Sequence, residues 1–216
     1  MVISLTSLAV SMAMVAAPPA QASAGAPRHV TLKQAFKSLP ATVQMLSWTL
    51  HYRGAFQQSI NLAPCEDGAQ LKAGPYVHAE YDGPAKSNDQ HAGLVIVVVF
   101  AAPADAAHAL ARLTSQARHC PRRYSPPYGG DAVNTTVSRR SWGPDGWRGF
   151  LITGTSLYGD EHRRTEGEVD VYATRGNVLV EVSTGDDLRT ASLARQGLWG
   201  RSLATAMING LDRYLQ

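Results

Sequence analysis

The chain has 216 residues, of which 44% are hydrophobic and 17% charged, with a formal net charge of +3 at neutral pH. A chain of this length can bury a core without metals or many disulfides, so one domain is expected. Much of the positive charge comes from arginine pairs, which could attract anionic partners. The alternative is that these arginines are simply solvated and reflect GC-rich codon usage. The pairs are Arg122-Arg123, Arg139-Arg140 and Arg163-Arg164.

The N-terminus is typical of an export signal. An apolar core is followed by Pro18-Pro19 and then by Ala20-Gln21-Ala22, which fits the small-x-small pattern of a signal peptidase site. We therefore predict a signal peptide over residues 1–22 and a secreted, extracytoplasmic protein. The alternative is an uncleaved anchor, but the apolar stretch is shorter than the roughly 20 residues of a membrane span. We expect no stable membrane span.

Two cysteines occur, Cys65 and Cys120. In an exported protein a lone pair of this kind predicts a disulfide rather than two free thiols. Closing the long loop between them would stabilise the fold by roughly 4 kcal/mol as an upper figure. The predicted role of the cysteines is structural.

Residues 23–64 are predicted to hold a helix and an extended segment. Thr31 can cap a short helix over Leu32–Leu39. Apolar and polar residues alternate loosely from Trp48 to Phe56, which indicates strand or extended chain. A second alternating stretch, Tyr76 to Tyr81, lies between two Gly-Pro turns and predicts a short strand.

A buried strand and an amphipathic helix are predicted between Gly93 and Cys120. The apolar, β-branched run Leu94–Phe100 should lie in the middle of a sheet. Pro103 suits the first turn of a helix over Ala104–His119. That helix is expected to place its apolar residues on one side and its charged residues on the other. The predicted apolar side consists of Ala107, Leu110, Ala111, Leu113 and Ala117.

Four strand-like segments follow a loop over residues 121–131, and a helix ends the chain. The last two segments are joined by Arg175-Gly176-Asn177, a tight hairpin signal. Successive strands with short links indicate an antiparallel sheet, so the predicted fold class is a single α+β domain with helices packed on that sheet. The final helix is predicted over Arg201–Tyr214, with glycines that leave room for breaks. The strand segments are residues 133–137, 150–157, 169–173 and 178–182.

This order of elements resembles the PknH-like extracellular sensor domain family of actinobacteria. The resemblance is carried by the VVVFAAPADAAHALARL stretch, Cys120 after it, the turn from Tyr172 to Val180, and the terminal helix through Ala204 and Met207. It covers the chain from about Cys65 onward, so residues 65–216 are predicted as the sensor-like part of one folded unit.

The resemblance implies an α+β domain with a cleft that binds a ligand rather than transforming one. Members of the family occur as the extracellular part of receptor kinases and as free-standing secreted or lipid-anchored proteins, often with two disulfides. This chain has cysteines for one, and it carries no kinase domain. A free-standing binder is therefore the expectation.

The cluster that most suggests ligand binding is the turn from Trp142 to Arg148 with the tyrosines around it. Aromatic rings beside arginine can stack on sugars or bind anions. The alternative is a hairpin turn in which Trp142 faces Trp147 across the strands. The candidate ligand-binding residues are Trp142, Trp147, Arg148, Tyr158 and Tyr128.

The sequence contains no motif that identifies a reaction. Nucleophile-elbow, zinc-histidine and phosphate-loop motifs are absent. His78 and Glu80 could share one strand face, but two groups do not make a metal site. No catalytic residue, metal or cofactor is predicted, although a triad assembled from distant residues stays open.

The leading hypothesis is an extracytoplasmic, sensor-type domain that binds an anionic or glycan component of the cell envelope in a cleft. Nucleic acid is not an expected partner outside the cell. A secreted hydrolase of unrecognised type and a cell-surface protein-interaction module stay as alternatives. The former requires a nucleophile, a base and an oxyanion site close together, and the latter a flat apolar patch.

Overall fold

The computed structural model describes residues 29–65, 70–83, 92–120, 123–124, 132–158, 165–187 and 191–216. Within these ranges the chain forms a single α+β domain with an antiparallel sheet, as the sequence predicts. The predicted signal peptide, Tyr128 and most of the loop around it lie outside the described residues.

Three helices and eleven strands are formed by the described residues. The helices are α1 (Leu32–Ser38), α2 (Pro103–Gln116) and α3 (Leu193–Leu215), with one turn of 3₁₀ helix at Gln44–Leu46. The strands are β1 (Thr42–Val43), β2 (Trp48–Phe56), β3 (Ile60–Leu62), β4 (Leu71–Ala73), β5 (Tyr76–Asp82), β6 (Ala92–Val99), β7 (Arg123–Tyr124), β8 (Ala132–Trp142), β9 (Arg148–Tyr158), β10 (Thr165–Arg175) and β11 (Val178–Asp187).

Nine of these strands form one sheet in the order β1-β2-β5-β6-β11-β10-β9-β8-β7, and β3 pairs with β4 separately. Every adjacent pair in the large sheet is antiparallel. The predicted central position of the Leu94–Phe100 strand is confirmed, because β6 lies between β5 and β11. Its apolar residues are buried on both faces, which explains why the run is continuous rather than alternating.

One face of the sheet, which we call the α3 face, is covered by α1 and α3. Inward-facing valines of β6, β10 and β11 pack there against Leu203, Met207 and Leu211 of α3. Thr31 caps α1 as predicted: its hydroxyl accepts from the Gln34 backbone, and the Gln34 side chain accepts from the Thr31 N–H in return. The α3 face holds the larger of the two apolar clusters.

The α3 helix is continuous over 23 residues, so its glycines, which left room for breaks, do not interrupt it. Packing explains two of these glycines. A Cβ on Gly200 would lie 3.2 Å from Val169 Cγ1, and one on Gly210 would overlap the carbonyl oxygen of Ser38 in α1. In the described part of the chain, no helix has both the length and the apolar character of a membrane span.

The opposite face, the α2 face, is covered by α2 and by the β3–β4 hairpin. Ala109 and Leu113 of α2 pack on Phe150, Tyr172 and Leu179 of the sheet. The predicted disulfide between Cys65 and Cys120 is present and joins the β3–β4 connection to the residues that follow α2. The covalent bond therefore fastens two covering elements of this face to each other.

The predicted hairpin between β10 and β11 turns at Gly176, whose φ of +56° lies in the left-handed region that favours glycine. Beside it the buried Asn177 amide accepts a hydrogen bond from the Val30 N–H (2.8 Å) and donates to the carbonyls of Val30 (2.9 Å) and Phe100 (3.0 Å). These bonds attach the chain before α1 and the end of β6 to the hairpin. The tight turn sets the register of β10 against β11, in which Tyr172 is opposite Glu181.

Candidate functional site

A groove of about 350 Å³ runs along α2 on the α2 face, and we call it the α2 groove. One wall is the side of α2 that does not pack on the sheet, and the other is formed by the adjacent ends of β9 and β10. Arg148 and Thr174 meet there because they are direct cross-strand partners. The lining residues are Ala107, Leu110, Ala111, Thr114, Ser115, Arg118, Arg148 and Thr174.

The rotation of α2 about its axis decides which residues line this groove. The residues of α2 that are buried against the sheet are Ala106, Ala109 and Leu113. The sequence-based assignment of Ala107 and Ala111 to the buried side is therefore wrong, since both are exposed. Leu113 and Ala117 are buried as expected. The rotation turns an alanine-rich strip of α2 toward the groove, where it forms an apolar wall.

Arg118 and Arg148 give the groove its charge. Both are exposed, and neither guanidinium has an ion pair or a side-chain hydrogen bond with any residue that the structure describes. Other arginines of the chain are engaged: Arg175 Nη1 lies 2.9 Å from Asp212 Oδ1, and Arg53 stacks over the Phe36 ring. The two groove arginines are therefore free to donate hydrogen bonds to a ligand.

The threonine hydroxyls of the groove are already committed as donors. Thr114 Oγ1 donates to the Leu110 carbonyl at 2.7 Å, and Thr174 Oγ1 donates to the Val178 carbonyl at 2.6 Å. No His, Asp, Glu or Cys is among the described lining residues. The described lining of the groove thus combines two guanidinium groups with an apolar wall and includes no general base.

The structure separates the predicted ligand-binding residues. Arg148 lines the α2 groove, whereas Trp147 is 5% exposed on the α3 face and donates from Nε1 to Asp212 Oδ1 at 2.9 Å. Trp142 packs partly buried against the same α3-face cluster and is paired with Gly149, so the two tryptophans do not face each other across the hairpin. The side chain of Tyr158 lies outside the described residues, as does Tyr128.

A second group of polar residues on the α2 face was not predicted. Tyr172 Oη lies 2.9 Å from Glu181 Oε1 and 3.1 Å from the carbonyl oxygen of Ala63, two residues before Cys65. Glu181 is 9% exposed. Its other oxygen, Oε2, has no hydrogen-bond partner within the described ranges. A carboxyl group with one free oxygen is therefore held inside the domain.

Burial raises the pKa of Glu181 to about 7, with a smaller contribution from the negative charge of Glu168, while the hydrogen bond from Tyr172 opposes the shift. Burial and the carboxylates of Glu181 and Asp170 raise the pKa of Tyr172 as well, so its phenol keeps its proton. That single proton cannot satisfy Ala63 and an ionised Glu181 at once. A protonated Glu181 can donate to the phenol oxygen and leave the phenol proton for Ala63.

The described residues contain no group of three or more His, Cys, Asp or Glu side chains that could hold a metal ion. His78 Nε2 lies 3.2 Å from Glu80 Oε1, so the pair that the sequence suggested does share a strand face. Comparison with known proteins found no matching family model and no matching curated protein. The function is therefore argued from the geometry of the chain.

Proposed function

We propose that this protein is an extracytoplasmic, non-catalytic binding domain whose α2 groove takes an amphiphilic anion, a small molecule with one acidic head and an apolar chain. The observation that carries the proposal is the presence of two unpaired guanidinium groups, from Arg118 and Arg148, beside the apolar strip of α2. The PknH-like sensor resemblance of the sequence supports a binding role but not the choice of ligand.

The charge of the groove favours an acidic head. A planar guanidinium donates two parallel hydrogen bonds to a carboxylate or phosphate, and a charge-assisted bond contributes about 1.5–3 kcal/mol. The described lining residues include no carboxylate that would compete for Arg118 or Arg148. An anion therefore finds two donors whose positive charge no described lining residue neutralises.

The wall of the groove favours an apolar chain on that anion. Ala107, Leu110 and Ala111 present methyl and isobutyl groups along about one turn of α2. An apolar chain that covers these side chains removes their surface from water, which favours binding by about 25 cal/mol per Å² of apolar surface buried. A glycan would instead require an exposed aromatic ring for stacking, and none is among the described residues of this groove.

Two further features support the proposal, the first concerning the compartment and the second the binding role. Disulfides such as Cys65–Cys120 persist in oxidising surroundings outside the cytoplasm, which agrees with the export signal expected from the sequence. The described lining residues of the groove include no histidine or carboxylate that could serve as a general base, so their chemistry suits holding a ligand. A hydrolase would need its reactive groups elsewhere.

The test is calorimetric titration of the oxidised protein with octanoate below its micelle concentration, compared with octanol and acetate. We expect octanoate to bind, octanol and acetate to bind at least about tenfold more weakly, and the Arg118→Gln/Arg148→Gln variant to lose a similar factor. Arg112→Gln, an exposed arginine of α2 outside the groove, is the matched control. Equal binding of octanoate and octanol, or no loss in the double variant, would contradict the proposal.

A further inference from the structure

A second groove, which we call the α3 groove, lies on the α3 face between the first half of α3 and the strands β8 and β9. Its volume is about 360 Å³. Arg140 of β8 and Arg201 of α3 both line it, and so do Ser138, Thr153 and Gly197. It is separated from the α2 groove by the sheet itself.

The α3 groove is positive, and its described lining residues supply no counter-charge. Arg140 and Arg201 are exposed, and neither side chain has an ion pair or a hydrogen bond with a described residue. No Asp or Glu is among the described lining residues. Leu193 and Ala194, in the first turn of the 23-residue helix α3, add the positive end of the helix dipole to the same space.

The polar floor of this groove keeps a hydrogen-bond donor available. Ser138 Oγ and Thr153 Oγ1 lie 2.6 Å apart, so one hydroxyl hydrogen forms the bond between them and the other remains for a further acceptor. In the α2 groove, by contrast, both threonine hydroxyls donate to backbone carbonyls. The α3 groove therefore combines two guanidinium groups with a hydroxyl donor and suits a polar, anionic ligand.

Gly197 keeps the space beside Arg201 open. A glycine inside a helix is unfavourable relative to alanine, and packing does not explain this one, unlike Gly200 and Gly210. A Cβ on Gly197 would meet only Arg201 Nη1, at 3.8 Å. The missing methyl group leaves the space beside that guanidinium open.

We propose that the α3 groove binds the phosphate group of a phosphomonoester, independently of the anion proposed for the α2 groove. A phosphomonoester carries close to two negative charges at neutral pH and three acceptor oxygens, which match two guanidinium groups, a hydroxyl donor and a helix N-terminus. A carboxylate has one charge and would leave part of this donor set unused. The volume leaves room for an organic group beyond the phosphate.

The proposal is tested by calorimetric titration with phenyl phosphate. Benzoate, which has the same ring but a single charge, is the comparison ligand. We expect phenyl phosphate to bind at least about tenfold more tightly than benzoate, and binding to strengthen as the pH rises through about 6, where the second phosphate proton is lost. Arg140→Gln/Arg201→Gln should weaken binding by about tenfold or more, whereas Arg112→Gln should leave it unchanged.

Gly197→Ala is a control that changes helix stability and keeps both groove arginines. The added methyl should raise the melting temperature by about 2 to 4 °C, because alanine favours the helix, and should leave phenyl phosphate binding unchanged, because it meets Arg201 Nη1 at an ordinary contact distance of 3.8 Å. Unchanged phenyl phosphate binding in Arg140→Gln/Arg201→Gln would overturn the proposal. So would tighter binding of benzoate.

The two grooves are distinguished by crossed variants. Arg118→Gln/Arg148→Gln should lose octanoate and keep phenyl phosphate, so either site can fail without the other. Sedimentation with vesicles containing phosphatidic acid identifies the source of the phosphate. If vesicle binding requires Arg140 and Arg201, the phosphate belongs to a lipid headgroup. If phenyl phosphate binds but the vesicles do not, the ligand is a soluble phosphomonoester. If neither phenyl phosphate nor the vesicles bind, the proposed site is overturned.

Discussion

The two faces of the sheet are held together by different physical means. On the α3 face a long helix buries leucine, methionine and tryptophan side chains against valines, and the ionic contact of Arg175 with Asp212 lies at its margin. On the α2 face a smaller apolar cluster is joined by a disulfide and contains the buried carboxyl of Glu181. Stability of the α3 face should therefore respond to packing changes, and that of the α2 face also to redox state and pH.

Removing the disulfide should have the largest effect and should act on the α2 face. The bond joins residues 55 positions apart, and for such a loop Cys65→Ser/Cys120→Ser should lower the free energy of unfolding by about 4 kcal/mol. Chemical denaturation measures the total, and native-state hydrogen exchange locates it. Amides of α2 and of β3–β4 should lose more protection than those of α3. Equal losses on both faces would show that the faces do not differ in this way.

Neutralising Glu181 should produce the next largest effect, and only at higher pH. Because the pKa of Glu181 is raised from 4.5 to about 7 on folding, the folded state binds the proton more tightly, and stability falls as the pH rises from about 4.5 to 7. Glu181→Gln should remove this loss and be about 3 kcal/mol more stable than the parent at pH 8, with little difference near pH 4.

The measurement for Glu181→Gln is denaturant unfolding at a series of pH values. Asp105→Asn is the control, since Asp105 is an exposed carboxylate of α2, which covers the same face. It should leave the slope of stability against pH between 4.5 and 7 as it is in the parent. A parent protein whose stability rises over that range would contradict the assignment of a buried, protonated Glu181.

Crowding the contact between α1 and α3 should cost less and should be independent of pH and redox state. A Cβ at Gly210 would overlap the Ser38 carbonyl, so Gly210→Ala should lower the free energy of unfolding by about 2 kcal/mol through overpacking. Gly197→Ala is the control within the same helix, because its methyl meets only Arg201 Nη1. If both substitutions stabilise the protein, α1 does not pack on α3 as described.

The two faces also differ in how much of each the sequence predicts. The alternation Val169, Val171, Ala173 predicts the strand and the buried side of β10, because period-two patterning is a direct consequence of strand geometry. The α2 helix is harder: alanines occur around most of its circumference, so tertiary contacts rather than periodicity decide that Ala106 is buried and Ala107 is not.

The polar residues of the α2 face show the same limit. Glu181 lies between valines, a pattern that normally indicates a solvent-exposed position on a strand. The hairpin at Gly176 does set the register and places Tyr172 opposite Glu181, which is the signal that could have predicted their contact. The segment around Ala63 covers this face because the β3–β4 hairpin and the disulfide hold it there. No local sequence pattern encodes this position.

The smallest effect on stability is expected at Trp147. The same variant decides whether this predicted ligand-binding residue acts in the α3-face core or in the α2 groove. Trp147→Phe removes the Nε1–H···Asp212 hydrogen bond, and Asp212 keeps Arg175, so we expect a loss of about 1 kcal/mol. Trp142→Phe, at a partly buried position on the same face, is the control and should cost less. Octanoate affinity measured beside stability decides the assignment. A tryptophan that acts through the α3-face core changes stability and leaves binding in the α2 groove unchanged, whereas a weaker octanoate affinity in Trp147→Phe would place Trp147 with Arg148 in the binding site.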